Sequence, residues 1–182
     1  MTVLPIRLFG DPVLTTPADP VVTFDAELRR LVHDLHDTLH DEQGSGLAAP
    51  QLGVSLRVFV FHVDGVEGVL VNPILDFPDD EEQDGPEGCL SMPGIYIDTV
   101  RRQNVVARGF TDLGDPMQIV GSGYLARCLQ HETDHLDGVL FIDRMDTPRR
   151  REALRALRAA PWAQDGAPRV KISPHASPNP FR

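Results

Sequence analysis

A His-Glu-x-x-His pattern at residues 131–135 constrains the fold of this chain more than any other feature. Ser122 suits an N-cap position and Gly138 suits the first position beyond a helix, so we predict about four turns of helix between them. Apolar residues flank the pattern; they are Leu125, Leu129 and Leu136. We therefore expect a buried helix, in which unpaired charged groups would be costly.

The two histidines of this helix have the spacing of metal ligands. His131 and His135 lie four residues apart, so their side chains leave the helix on the same side. Two imidazoles placed in this way can bind one divalent ion, and Glu132 beside them suits a base that acts on a metal-bound water. The alternative is a core helix with two hydrogen-bonded histidines. The complete pattern on a capped, apolar helix favours the metal site.

A third ligand is needed, because a catalytic zinc-type centre has three protein ligands and one open position. Metzincins carry a further histidine at a fixed spacing, but this chain has Phe141 there. Thermolysin-like enzymes use a glutamate further along. Glu152, the only glutamate after Glu132, lies in an arginine-rich run, where a ligand is not expected. The third ligand is therefore expected upstream of the helix.

Composition and charge restrict the class of protein. The 182 residues suffice for one domain with a hydrophobic core, and 41% apolar and 24% charged residues are usual for a soluble protein. The net charge of -10 argues against a general nucleic-acid binder. Neither a signal peptide nor a membrane-length apolar run is apparent, so we expect a cytoplasmic protein. In that compartment Cys89 and Cys128 suit metal or catalytic roles better than a disulfide.

Short strand patterns and few helices organise the rest of the chain. An apolar stripe of helical period predicts a first helix over residues 24–41. Runs of β-forming residues predict strands at 57–62, 68–72, 95–100, 104–110 and 117–120. Such strands flanking helices indicate an α+β fold rather than repeated βαβ units. We expect small antiparallel or mixed sheets packed around the metal-binding helix, with an N-terminal and a C-terminal helix.

Two charged segments and a tail complete the layout. The acidic run 79–85 is predicted to be a solvated surface loop. Residues 148–160 carry five arginines against one glutamate, and a basic C-terminal helix is predicted over 148–163, after a catalytic domain at 1–147. The tail at 164–182, rich in proline, serine and alanine, is expected to be mostly disordered.

Three segments of the chain, taken in order, resemble a known enzyme family. They are Gly44-x-Gly-Leu-Ala-Ala-Pro-Gln51, Glu87-Gly-Cys-Leu-Ser91 and Gln130-His-Glu-x-Asp-His-Leu136. Together they resemble the three signature motifs of bacterial peptide deformylase, and the resemblance extends over residues 5–145. Each motif alone is moderate evidence, whereas the ordered trio is highly specific.

The resemblance implies a metal centre held by Cys89, His131 and His135, with water as the fourth ligand. Members of the family usually work with one Fe(2+) ion per chain and often accept Zn(2+), Ni(2+) or Co(2+). A thiolate ligand is compatible with Fe(2+) or Zn(2+). Cys128, three residues before His131, is the competing ligand. We favour Cys89, because an extended strand can bring its thiolate across to the helix, whereas Cys128 is poorly placed to complete a tetrahedron from the same helix.

The resemblance also implies a reaction, the removal of the N-formyl group from the initiator methionine of new polypeptides with release of formate. In this pattern Glu132 takes a proton from the attacking water and passes it to the departing amine. The Gln51 side chain and the Leu90 backbone N–H stabilise the developing oxyanion, and the backbone of Gly46 helps to hold the substrate. The rival interpretation is a zinc endopeptidase of the same His-Glu-x-x-His kind, with Cys89 in a structural role.

A pocket for the substrate's methionine side chain is implied by the same resemblance. Cys128 falls where the family lines this pocket. Ser45, Gly85, Tyr124 and Arg127 fall where relatives often carry aliphatic pocket residues. We expect the aliphatic stem of Arg127 to pack in the pocket wall while its guanidinium group reaches solvent.

The expected partners are the formyl-Met N-termini of nascent peptides. The basic segment 148–160 would orient the enzyme on ribosomal phosphate, which repels the rest of an acidic surface. The alternative is a solvated helix that only packs Leu154 and Leu157. No membrane partner is expected, and the chain is expected to act as a monomer.

Overall fold

The described part of the molecule contains three α-helices and nine β-strands. A computed structural model describes residues 2–164 and 170–171 of the chain. The helices are α1 (Ala26–Asp41), α2 (Gly123–Leu136) and α3 (Thr147–Ala159). The strands are β1 (Ile6–Arg7), β2 (Gly46–Ala48), β3 (Val58–Val63), β4 (Val66–Asp76), β5 (Glu82–Cys89), β6 (Met92–Arg102), β7 (Asn104–Phe110), β8 (Pro116–Ser122) and β9 (Val170–Lys171).

The strands form three antiparallel sheets within the described residues. The largest has the order β2-β3-β4-β7-β8, β5 and β6 form a long hairpin, and β1 pairs with β9. Helices do not alternate with parallel strands, so the α+β prediction is confirmed. Among residues 2–164 and 170–171, no helix has both the length and the apolar character needed to cross a membrane.

Helix α1 forms close to its predicted position. Its N-cap Asp25 accepts hydrogen bonds from the backbone N–H groups of Glu27 and Leu28 at 2.9 and 3.0 Å. The predicted apolar stripe is buried against one face of the five-stranded sheet, where it contacts Val58 and Val60. The sequence pattern therefore determined both the helix and the face that it buries.

Helix α2 covers the opposite face of the same sheet. Its fully buried residues Leu129 and Leu136 pack with Phe59 and Phe61 of β3. Because alternate residues of a strand point to opposite faces, β3 is buried on both sides. Ser122 is the N-cap residue, and Gly138 adopts a φ of 69° just beyond the helix, as the sequence predicted.

The acidic run 79–85 is not entirely a loop, contrary to the prediction. Its residues from Glu82 onward belong to β5, which pairs with β6 in the register Glu82↔Arg102 and Asp84↔Val100. Exposure alternates along β5, and the acidic side chains Glu82 and Asp84 lie on its exposed side. Burial alternates every second residue along β5, but the many acidic residues hid this alternation in the sequence, so the strand was missed.

The glycine-rich segment 44–51, the first of the three motifs, had no helix or strand predicted within it. Its residues Gly46–Ala48 form the edge strand β2, and a 3₁₀ helix follows at Ala49–Leu52. Three residues of strand flanked by small side chains are too short to give a periodic signal.

The basic segment forms helix α3, which begins one residue before its predicted start and ends at Ala159, four residues before the predicted end at 163. Asp146 caps the helix by accepting a hydrogen bond from the Arg149 backbone N–H at 2.9 Å. Ala153 and Leu157 are buried in a cluster that also contains Phe141. The α3 helix is therefore part of the folded unit.

The expectation of disorder concerns a tail that lies largely outside the described residues. Positions 165–169 and 172–182 are not described. Within the tail, Val170–Lys171 form β9, which pairs with β1.

Candidate active site

The β5–β6 hairpin brings a cysteine to the histidines of α2. Cys89 is the last residue of β5, and its Sγ lies 3.2 Å from Nε2 of His135. The rings of His131 and His135 have their centroids 4.9 Å apart. One ligand atom from each of these three side chains lies within 4.8 Å of the others. The predicted trio is thus assembled from two elements distant in sequence.

This cluster fits a divalent metal ion of intermediate softness. A thiolate and two imidazoles are ligands that Zn(2+) and Fe(2+) accept, and three protein ligands leave a fourth position for water or substrate. Among the described residues, Cys89, His131 and His135 form the one group of three or more Cys, His, Asp or Glu side chains that lie close enough together to hold an ion. The buried Glu132 Oε2 has no hydrogen-bond partner within that part of the chain, as expected of a group that faces a reacting molecule.

Glu87 orients one of the histidines. Its Oε1 lies 2.7 Å from Nδ1 of His131, which leaves Nε2 of this ring for a metal ion. Burial alone would raise the pKa of Glu87, but hydrogen bonds from His131 and Arg101 outweigh it and hold the pKa far below the ordinary value. Glu87 is therefore a carboxylate that fixes the tautomer and the orientation of the His131 ring.

A buried network of charges supports this glutamate. Arg101 donates to both oxygens of Glu87 at 2.6 and 3.0 Å and to Asp134 at 2.6 Å. Arg144 closes the network from the surface by donating twice to Asp134. Sequence reasoning missed these roles. Glu87 lies in the second motif and Asp134 in the third. A charged residue in a segment predicted to be buried needs a partner of opposite charge, and this was the available signal.

The expectation for Arg127 was wrong. Its side chain is 5% exposed, and the guanidinium does not reach solvent. Nη1 donates to Oε2 of Glu87 at 2.7 Å and to the backbone oxygen of Thr99 at 2.8 Å. A buried carboxylate nearby offers a charged partner, which stabilises the guanidinium in place of hydration.

Glu132 lies in a buried environment with very close backbone contact. Burial raises the pKa of Glu132 to about 7, which suits a group that exchanges a proton near neutral pH. A Cβ atom at Gly46 would overlap the Glu132 carboxylate, with its Cδ only 2.7 Å away. A larger residue at this position would displace the Glu132 carboxylate or the edge strand, because β2 passes directly over the base.

Gln51 is held with its amide N–H group directed at the same site. Its Oε1 accepts a hydrogen bond from the Ala48 backbone N–H at 2.8 Å, which fixes the amide orientation. Nε2 then lies 3.1 Å from Ser91 Oγ and 3.6 Å from Cys89 Sγ. The side chain is therefore a buried, oriented donor beside the three candidate metal ligands.

The predicted site residues line a common cavity of about 500 Å³. They are Gly46, Gln51, Leu90, Tyr124, Arg127 and Cys128, together with the base Glu132. Leu90 stands in the turn between β5 and β6, next to Cys89. The structure brings all of them together around the two histidines and the cysteine.

Cys128 lines this cavity as a thiol. Its Sγ donates to the backbone oxygen of Ser45 at 3.3 Å. Burial raises the pKa of Cys128 well above the ordinary value, and the Glu132 carboxylate adds to this shift. Cys89 belongs to the group of three side chains whose ligand atoms lie within 4.8 Å of one another and Cys128 does not, which favours Cys89 as the ligand. Nearby, Tyr124 is half exposed and its hydroxyl lies 2.8 Å from Ser45 Oγ.

A second cavity of about 560 Å³ lies against another face of α2. Among the described residues, its lining includes Gln130, Thr133 and Asp134 of the helix and the capping residue Asp137, but no histidine or cysteine. The chemistry is therefore on the side of Glu132, despite the slightly larger volume here.

A thiolate and two histidines beside a buried glutamate, at an open cavity, define the class of metal-dependent hydrolases. The family model described as Polypeptide deformylase matches residues 3–151. The chain belongs to the peptide deformylase family. Members of this family remove the N-formyl group from the N-terminal methionine of nascent peptides, and the endopeptidase alternative is not favoured.

Relatives and solved structures agree with this assignment. The chain is 61% identical over 175 residues to peptide deformylase of Acidothermus cellulolyticus, covering 96% of each chain. It is 58% identical over 176 residues to that of Parafrankia sp., again covering 96% of each. The crystal structure of peptide deformylase from Thermus thermophilus matches with a TM-score of 0.81 at 41% identity, over 86% of this chain and 94% of the other. The resemblance stated from three motifs is confirmed.

Proposed function

We propose that Cys89, His131 and His135 hold the divalent ion that serves deformylation, and that the cavity beside them takes the formyl-Met N-termini of nascent peptides. The observation that carries the proposal is the convergence of three ligand atoms within 4.8 Å of one another at a cavity lined by a buried glutamate. When bound, such an ion makes water a nucleophile near neutral pH and polarises a carbonyl group.

Glu132 acts as general base and then as general acid. It accepts the proton of the attacking water and delivers it to the amine that departs from the formyl carbon. In the metal-free protein burial raises the pKa of Glu132 to about 7, and a buried carboxyl group with such a raised pKa can both accept and release a proton near neutral pH. Such proton transfer contributes roughly 10²–10⁴ in rate.

Gln51 and Leu90 stabilise the negative charge that develops on the formyl oxygen. The Gln51 amide is oriented before substrate arrives, since Ala48 fixes its oxygen. Leu90, in the hairpin turn beside Cys89, contributes its backbone N–H. Loss of one donor of this kind costs about 10²–10³ in rate.

The substrate is bound by backbone and side-chain groups of the same cavity. Gly46 lies on an edge strand over Glu132, where its backbone can pair with an extended peptide. Cys128 and Tyr124 contribute to the pocket for the methionine side chain, and Arg127 supplies part of its wall.

We assign Fe(2+) as the ion used in the cell, with Zn(2+), Ni(2+) or Co(2+) as substitutes. One thiolate and two imidazoles support this set, because these ligands suit borderline metals. They do not suit Mg(2+) or Ca(2+), which prefer oxygen ligands.

The proposal is tested by formate release from formyl-Met-Ala-Ser, using protein purified without oxygen and analysed for metal. Formate is expected in proportion to bound metal. Casein, offered as a control, is expected to remain intact. Cleavage of casein without formate release would contradict the proposal.

A second part of the proposal concerns the ribosome, as a monomeric enzyme of the cytoplasm would meet its substrate there. Helix α3 exposes Arg151, Arg155 and Arg158, while Ala153 and Leu157 hold it in the core. An exposed row of cations on a chain of net charge -10 suits binding to RNA phosphate.

Charge reversal tests this without removing buried residues. A variant with R151E, R155E and R158E should lose salt-sensitive co-sedimentation with ribosomes and keep activity on a free formyl-tripeptide. A control with R29E, R30E and R108E has the same net charge and changes exposed arginines elsewhere. Equal sedimentation of both variants would remove the role of α3.

A further inference from the structure

Arg127 contacts the carboxylate that orients a proposed metal ligand. Oε1 of Glu87 contacts Nδ1 of His131 at 2.7 Å and Nη2 of Arg101 at 2.6 Å. Oε2 contacts Nε of Arg101 at 3.0 Å and Nη1 of Arg127 at 2.7 Å. Each carboxylate oxygen therefore has two partners, and Arg127 is one of the two that fix Oε2.

The position of Arg127 on α2 makes this contact specific. Arg127 precedes His131 by four residues, so both side chains leave the helix on the same side and meet the same glutamate. Its Nη1 also donates to the Thr99 backbone oxygen of β6 at 2.8 Å. The guanidinium thus links the helix that carries His131 to the hairpin that carries Glu87. It also lines the substrate cavity.

The charge balance of the network depends on this arginine. Four of its side chains are 4–8% exposed, two of them anions, Glu87 and Asp134, and two cations, Arg101 and Arg127. Without Arg127, the two buried carboxylates would share one buried arginine, and the half-exposed Arg144 would help only on the Asp134 side. An unbalanced buried charge is costly and disturbs the geometry around it.

We propose that Arg127 is a positioning residue for the metal centre. By fixing Oε2 of Glu87 it keeps Oε1 directed at His131, and thereby holds the His131 ring in the orientation that presents Nε2 to the ion. The substrate cavity and the ligand support then share one side chain. This inference rests on the proposed function, because it takes His131 as a metal ligand.

The test compares the rate at which zinc-loaded protein loses its ion to a chelator. Removing a group that orients a metal ligand typically costs about 10–100-fold in affinity. Because Arg101 still contacts Glu87, we expect zinc loss from R127M to be about tenfold faster than from wild type, at the lower end of that range. R127K keeps the charge and should lie between the two. R108M removes an exposed arginine paired with Asp76 and serves as the matched control, with no change expected.

Testing R127M in a protein that also carries E87Q shows whether Arg127 acts through Glu87 or only by packing. In E87Q the carboxylate that Arg127 holds is already gone, so R127M in that background should add little to the rate of zinc loss. An effect of R127M that is equally large in both backgrounds would overturn the proposal, because it would not act through Glu87. An unchanged rate in R127M would overturn it as well. If R127M fails to fold, R127K carries the test, and wild-type behaviour of R127K would count against the proposal.

The cobalt-loaded protein gives an independent readout. The ligand-field spectrum of Co(2+) responds to ligand orientation, so R127M is expected to alter it and R108M to leave it as in wild type. These measurements do not require turnover. If the wild-type protein binds zinc but releases no formate, the proposed function is wrong. The inference about Arg127 is then still decided by the rates of zinc loss to the chelator.

Discussion

The contact between Gly46 and Glu132 leaves no room for a side chain at position 46 unless the Glu132 carboxylate or the strand moves. A methyl group at Gly46 would overlap the Glu132 carboxylate, so G46A must displace the proposed base or the edge strand. We expect G46A to lose about 10²-fold or more in deformylation, because general base catalysis contributes this much. Metal content should remain at the wild-type level.

The control for this variant is G65A. Gly65 lies in the turn between β3 and β4 with a φ of 78°, and a Cβ there would meet nothing within 4 Å. G65A should therefore lower stability slightly through backbone strain and leave activity intact. Full activity in G46A would show that the base is not where we place it.

The titration of Glu132 can be measured directly in metal-free protein. Burial raises its pKa from an ordinary 4.5 to about 7. An infrared band of a protonated carboxyl group should therefore be present at pH 6 and lost by pH 8, and it should be absent from E132Q. The exposed Glu152 provides the control variant E152Q, which should keep the band.

The same shift predicts how the stability of the metal-free protein depends on pH. A raised pKa in the folded state means that the folded protein holds an extra proton between pH 4.5 and about 7. The contribution of Glu132 is therefore complete below 4.5 and is lost as the pH rises through 7. Above pH 7 the metal-free E132Q protein should be more stable than wild type by about 3 kcal/mol. Equal unfolding curves at pH 8 would contradict the buried, uncompensated carboxylate.

The two cysteines should behave differently when replaced by alanine. C89A is expected to lose metal and activity together, because its Sγ belongs to the ligand cluster. C128A should keep its metal, since Cys128 is a protonated donor to Ser45. Metal analysis of both variants decides the assignment, and retention by C89A with loss by C128A would reverse it.

At the scale of elements, helix α3 is fixed to the domain by its apolar side. Leu157 is 3% exposed and packs in the cluster that contains Phe141 and Met92. L157A should lower the free energy of unfolding by about 2–5 kcal/mol, the usual cost of such a cavity. R155E on the exposed side should change it by no more than about 0.5 kcal/mol. Chemical denaturation of both variants would detect the difference, and equal curves would mean that α3 does not pack.

The elements that sequence predicted well are those with a clear period. Helices α1 and α2 have apolar stripes and recognisable caps, and β3 and β7 have dense β-forming runs. Strands β2 and β5 were missed because β2 has only three residues and the exposed side of β5 is acidic. Local composition does not predict a strand that is stabilised mainly by pairing with a neighbouring strand.

At the scale of the whole molecule, the family resemblance predicted more of the site than the hydrophobic periodicity of the sequence did. The site residues that the resemblance implied, from Gly46 to Glu132, line one cavity, and His135 belongs to the ligand group beside it. The ion network was not foreseen, because Glu87, Arg101 and Asp134 meet only after the hairpin folds onto α2. Pairings of this kind depend on tertiary structure, and a single sequence carries no signal of which arginine meets which carboxylate.

The central claim is that a base on α2 acts beside a metal held by Cys89, His131 and His135. It is tested most directly by the rate of formate release per bound metal ion in E132Q relative to wild type. The account predicts an unchanged metal content and a rate lower by at least about 10²-fold, because the ligands remain and the base is gone. Formate release by E132Q at the wild-type rate per bound metal ion would contradict it.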